Sequence, residues 1–144
     1  MAAPESVDTA LAQKSIRVAA LNGDATLYDK YLQHLQTAKT PQEYDLYLIG
    51  LGYFPAPELT ARTYALVLSD QVKNQDMFNL FVMLRNYYTQ SLAWDLFKRN
   101  FPAIRKKGGL MAEGELAYAS GVFCDAKLRD DSQEFFAEQK LQGA

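Results

Sequence analysis

The sequence predicts an all-α fold, an α-α superhelix of about eight helices stacked as helical hairpins in the manner of HEAT or armadillo proteins. Apolar residues recur at helical spacing from end to end, and no stretch longer than a few residues alternates with the period of a strand. Helix start and stop signals punctuate segments of roughly 10 to 18 residues, which pair into units of about 30 to 36. The units share no residue-by-residue self-similarity. An irregular superhelix therefore fits better than tandem consensus repeats, with a compact bundle as the structural competitor.

Val7, Leu11, Ile16, Val18 and Leu21 form the apolar stripe of a first helix, and Asn22-Gly23 stops it. Asp24 then caps a second helix whose inward face is Leu27, Tyr28, Tyr31, Leu32 and Leu35. In AKTPQEYDLYL, residues 38–48, Thr40 caps and Pro41 takes the first helical position. Glu43, three residues after the cap, is placed to return its carboxylate to the Thr40 amide. This third helix presents Tyr44, Tyr47, Leu48 and Leu51 and stops near Gly52.

FPAPEL, residues 54–59, forbids continuation, and Pro57 or Glu58 opens a fourth helix with Leu59, Thr63, Leu66 and Val67 inward. SDQVKNQ, residues 69–75, reads as a turn, after which Asn74 or Asp76 is expected to cap a central helix. There Met77, Phe78, Leu80, Phe81, Val82 and Leu84 leave almost no polar side. Beyond a break at 86–89, Leu92, Ala93, Leu96, Phe97, Phe101 and Ile104 make the next stripe. Pro102 is expected to kink or end it, and Lys106-Lys107-Gly108-Gly109 is a C-terminal signal. Two last helices are expected, one from 110 to 123 and one from 130 or 132 to 141.

Composition excludes several function classes. With 144 residues, 49% apolar and 22% charged, residues 1–144 read as a single soluble helical-repeat domain. A net charge of −2 gives no electrostatic case for nucleic acid or for an anionic membrane as partner. Apolar runs such as FVML fall far short of the ~20 residues a bilayer span needs. The N-terminus lacks the basic and apolar regions of a secretory signal. Cys124 and His34 are the only cysteine and histidine. A structural zinc site needs about four Cys or His ligands and HExxH chemistry needs two histidines one turn apart, so no catalytic, cofactor-binding or metal-ligating residue is assigned. A nucleophilic triad would have to use His34, which reads as a surface histidine in YLQHLQ.

Trp94, in LAWDLF, reads as a core residue between adjacent helices rather than a peptide-binding shelf. Tyr28, Tyr31, Tyr44 and Tyr47 lie on apolar stripes, with hydroxyls expected at the rim. Tyr87 and Tyr88, in the turn, are the candidates for contact with a peptide or another domain. Arg99 and Arg105 join them from the run Lys98, Arg99, Arg105, Lys106, Lys107, because a guanidinium grips a carboxylate bidentately. The competing reading of that run is a solvated helix end. Arg62 is expected to pair with Glu58 one turn earlier, and Cys124 to be an inert buried thiol.

An ordered series of phrases is more specific than periodicity: GDATLYDKYL (23–32), AKTPQEYDLYL (38–48), FPAPELTARTYALVLSDQVKNQD (54–76), LAWDLFKRNF (92–101), FCD (123–125) and QEFFAE (133–138). The series resembles the C-terminal helical domain of the gluzincin zinc aminopeptidases, the family of aminopeptidase N, puromycin-sensitive aminopeptidase and the endoplasmic-reticulum antigen-trimming aminopeptidases. The chain departs from that family at Tyr87-Tyr88-Thr89-Gln90, where a turn with proline and glycine is usual, and it stops before the family's further basic helix. The resemblance implies a fragment of a larger hydrolase, with zinc, HExxH and amine recognition in a separate catalytic domain of the same polypeptide. It implies that this part covers the active site and shapes the cavity for a peptide substrate. A free-standing helical-repeat adaptor for proteins or peptides is the alternative.

Overall fold

The computed structural model describes residues 8–121 and 123–139, and the side chains of these except 110–117, 119 and 120. Val7 and Leu141, expected on helices, lie outside the described residues.

Side-chain caps fix where the chain becomes helical. Asp8 accepts from the Ala10 amide at 2.9 Å and opens α1, Thr9–Leu21. Asp24 accepts from Leu27 at 3.0 Å and opens α2, Ala25–Thr37. At α3, Pro41–Leu51, Thr40 accepts from the Glu43 amide at 3.2 Å. The returning Glu43 carboxylate takes the Lys39 amide at 3.0 Å, one residue beyond the expected Thr40. Pro57 sits in the first turn of α4, Pro57–Leu68.

The central apolar run departs from expectation. Asn74–Asp76 is a single 3-10 turn, and α5 is short, Asn79–Arg85, with no side-chain cap. The amides of Asp76, Met77, Leu80 and Phe81 each bond the carbonyl three residues back, so the segment opens in 3-10 turns and not as one long α-helix. α6, Gln90–Ser120, runs through Pro102 and breaks instead at Gly109, whose φ of 63° and ψ of −162° are open essentially to glycine alone. α7, Ala126–Glu138, starts earlier than expected because Asp125 accepts from the Leu128 amide at 2.9 Å. The described residues thus form seven α-helices, the sixth in two segments, with no strand among them. None of these helices is long and apolar enough to cross a membrane.

The principal contacts join helices that are adjacent or next-but-one in the chain: α2 with α3, α5 with α6 and α6 with α7, then α1 with α3, α3 with α5 and α4 with α6. That pattern belongs to stacked helical hairpins. Leu11 and Val18 are each 59% exposed, contrary to expectation. At 100° per residue they lie across the helix from Ile16 and Ala20, which carry α1's packing on the core.

Two aromatic groups hold the stack. In the first, Tyr28 and Tyr31 meet Phe54 edge to face at 5.2 and 5.4 Å. The Tyr28 hydroxyl shares a buried hydrogen bond of 3.0 Å with Thr63, and the Tyr31 hydroxyl donates to the Ile16 carbonyl at 3.0 Å. Gly50 admits this crossing, since a Cβ there would lie 2.6 Å from Ile16 Cγ2. The second group gathers Trp94, Phe97 and Phe101 of α6 with Phe123, Phe135 and Phe136. Between the groups, half-buried Lys107 of α6 donates to the carbonyls of Val67 at 2.8 Å, Val72 at 2.6 Å and Ser69, closing the end of α4. Desolvation pulls the Lys107 pKa below its ordinary value, opposed by Asp70 and Asp76.

Lys107→Met removes this clamp and leaves its carbonyls poorly solvated. We expect a loss of about 1.5–3 kcal/mol, read as a lower midpoint in urea unfolding. Gly109→Ala meets no neighbour within 4 Å. Its penalty is therefore conformational, about 1–3 kcal/mol, and the same unfolding curve measures it.

Candidate functional site

The break between α5 and α6 builds the most distinctive surface. Asn86 ends α5, and its carbonyl accepts from the Thr89 amide at 3.0 Å and the Gln90 amide at 2.8 Å. Its side-chain oxygen accepts from the Tyr88 amide at 3.1 Å. Thr89 is buried and donates its hydroxyl to the Met83 carbonyl at 2.7 Å. Held at both ends, the turn presents Tyr87 and Tyr88, 80% and 67% exposed, with rings edge to face at 5.7 Å.

These rings stand at an open groove of about 760 Å³ between the start of α6 and α7, within the usual size range of ligand clefts. Trp94 and Leu128 supply apolar lining, and Asp95, Lys98, Asp125, Lys127 and Asp131 supply the charge. Trp94 is almost fully buried, and its indole N–H donates to Asp131 Oδ2 at 2.5 Å. Lys98 donates to the same oxygen at 2.6 Å, lies over the Trp94 ring at 5.6 Å and stands 3.8 Å from Asp95. The Lys98 and Trp94 hydrogen bonds hold the Asp131 carboxyl below the usual carboxylate range. Two smaller depressions of about 390 and 360 Å³ share Leu32, Gln36, Leu66 and Gln71 near α2 and α4.

The structure brings Tyr87 and Tyr88 to this groove. Arg99 and Arg105 do not line it: Arg99 is exposed, and the Arg105 guanidinium lies 5.7 Å from the Phe101 ring centroid. The basic run is dispersed rather than clustered, since Lys98 is engaged with Asp131 and Lys107 with backbone carbonyls. Arg62 does not pair with Glu58 but reaches Asp29 of α2 at 2.8 Å, with its guanidinium 4.5 Å over the Tyr28 ring. Cys124 is exposed, not buried, because its neighbour Phe123 takes the core position against Trp94. Sequence reasoning missed Asp95 and Asp131. The first was legible as an i,i+3 partner of Lys98, whereas nothing local links Asp131 to Trp94.

Among the described residues no group of three or more His, Cys, Asp or Glu side chains is placed to hold a metal ion. His34 is exposed with its ring stacked on Tyr47 at 4.7 Å, remote in the chain from Cys124, and these donors do not fit a zinc site.

The fold defines a class: an all-α domain of packed helical hairpins. A family profile, the ERAP1-like C-terminal domain, matches residues 1–144. The chain belongs to this family, whose members form the C-terminal part of aminopeptidase-like enzymes. Neither curated proteins nor solved structures returned a match.

Asp131→Ala leaves a buried indole N–H without its acceptor, and a loss of about 1–3 kcal/mol is expected by thermal unfolding. Asp131→Asn retains an acceptor and loses less. A depressed carboxyl pKa stabilises the fold above the unfolded value near ~3.9. That contribution disappears as pH falls through the folded pKa, so the gap in Tm between wild type and Asp131→Asn narrows with acidification below about pH 4.

Proposed function

We propose that residues 1–144 are a single non-catalytic domain of a zinc metallo-aminopeptidase. In the intact enzyme it packs over the catalytic domain of the same polypeptide and shapes the cavity that peptide substrates enter. The observation that carries this reading is the family match along the whole chain. Zinc would be held by residues of the catalytic domain, not by this chain, and would supply there the hydrolytic chemistry that releases N-terminal amino acids. This chain's residues supply walls and contacts, with Tyr87 and Tyr88 as the peptide-facing pair and Arg99 and Arg105 as candidates for the interdomain surface.

The gene's reading frame tests the assignment directly. Continuity upstream with a domain bearing HExxH supports it, and a frame without one favours the free-standing peptide-binding adaptor. In the intact enzyme, Tyr87→Ala with Tyr88→Ala is expected to lower the ratio of kcat/KM for long peptides to that for an aminoacyl-arylamide by several-fold. An unchanged ratio removes the two tyrosines from the substrate path.

A further inference from the structure

We propose that the Tyr87–Tyr88 groove selects cationic side chains, binding a peptide segment through its arginine or lysine; this deepens the peptide-contact reading above and rests on it. The lining carries three carboxylates, Asp95, Asp125 and Asp131, against two ammonium groups, Lys98 and Lys127. Lys98 and Asp131 satisfy one another at 2.6 Å. Asp125 is occupied at the start of α7, where it accepts from the Leu128 amide. Asp95 is different: its side chain is 52% exposed, and Lys98, 3.8 Å away, is held by Asp131 at 2.6 Å. A carboxylate open to solvent therefore stands in the groove that two outward-facing tyrosine rings border.

That combination fits a guanidinium or ammonium. A cation over an aromatic face is attracted by the ring quadrupole, more strongly once desolvated, and a nearby carboxylate adds a charge-assisted hydrogen bond. An acidic side chain meets the negative face of the same rings and the repulsion of Asp95, while a neutral one gains only apolar contact. The backbone of the turn is fixed before binding by the Thr89 and Asn86 hydrogen bonds, so only the side-chain freedom of the two rings is left to be lost. Lys127 opposes a cation and sets a limit on affinity, which places the selectivity in the tyrosines and Asp95 rather than in net charge.

Trp94 is the only tryptophan and lines the groove, so its emission reports occupancy. The 144-residue chain is titrated with three N-acetylated, C-amidated octapeptides of glycine and serine carrying a central Arg-Arg, Gln-Gln or Glu-Glu. We expect the Arg-Arg peptide to bind about tenfold more tightly than Gln-Gln, with Glu-Glu weakest, and to weaken as salt is raised. Asp95→Asn, and Tyr87→Ala with Tyr88→Ala, are each expected to reduce Arg-Arg binding at least about fivefold while helical circular dichroism is retained. Equal affinity for the three peptides, indifference to these variants, or no binding of Arg-Arg overturns the proposal. Such a failure beside an upstream HExxH frame leaves the aminopeptidase assignment standing. Selective binding without that frame supports the groove and reassigns the chain as an adaptor.

Discussion

The packing of Trp94 is the interaction on which both the C-terminal half of the fold and the groove depend. Its ring stacks on Phe97 at 5.2 Å and meets Phe123 and Phe135 edge to face at 5.7 and 5.4 Å, joining α6, the connecting loop and α7. Its N–H reaches outward to Asp131, which in turn fixes Lys98. An apolar body and one polar atom thus make a single side chain part of the core and part of the groove lining. Any displacement of α7 moves Asp131 and changes the groove.

Hydrophobic burial alone does not set the angles between such helices, because it is non-directional. Directional bonds do so where Tyr28, Tyr31 and Lys107 cross between helices. Tyr28 with Thr63 fixes α2 against α4, Tyr31 with the Ile16 carbonyl fixes α2 against α1, and Lys107 with its carbonyls fixes α6 against the end of α4. Each of these polar groups is buried or half-buried, so a partner lost is not fully replaced by water. Burial pushes the Tyr28 phenol up, and the Tyr64 phenol far up, which keeps both neutral in the stack. The packing is tight enough at α3 that only Gly50 allows the approach of Ile16 and the Tyr31 ring.

What was legible in the sequence was local. Asp24, Thr40 and Pro57 begin helices because the residue, its neighbours and the orphan amides all lie within one turn. Stripes such as Leu27, Tyr28, Tyr31 and Leu35 were legible because periodicity records burial directly. Residues whose fate is decided by a distant partner were not. Arg62 had a plausible partner in Glu58 and took Asp29 on another helix, and Lys107 looked like a solvated helix end until α4 supplied its acceptors. Leu11 and Val18 matched a helical spacing, yet α1 packs along the opposite face. In the groove, the unusual turn drew notice to Tyr87 and Tyr88, whereas Asp131 lies 37 residues from Trp94 and became visible only through contact.

The groove's construction suits a wall better than a deep receptor. Two tyrosines supply broad, amphipathic area with few rotatable bonds, and their turn is anchored by buried Thr89 instead of by the ligand. In the proposed contact such a surface would recognise a class of side chain with modest energy, because one cation–aromatic contact and one exposed carboxylate amount to about 1–3 kcal/mol. Tight binding would require enclosing the ligand and desolvating its charge, and an open groove does neither. Modest, class-selective contact is what a surface facing many different peptides needs, since a high-affinity site would retain each one and slow its release.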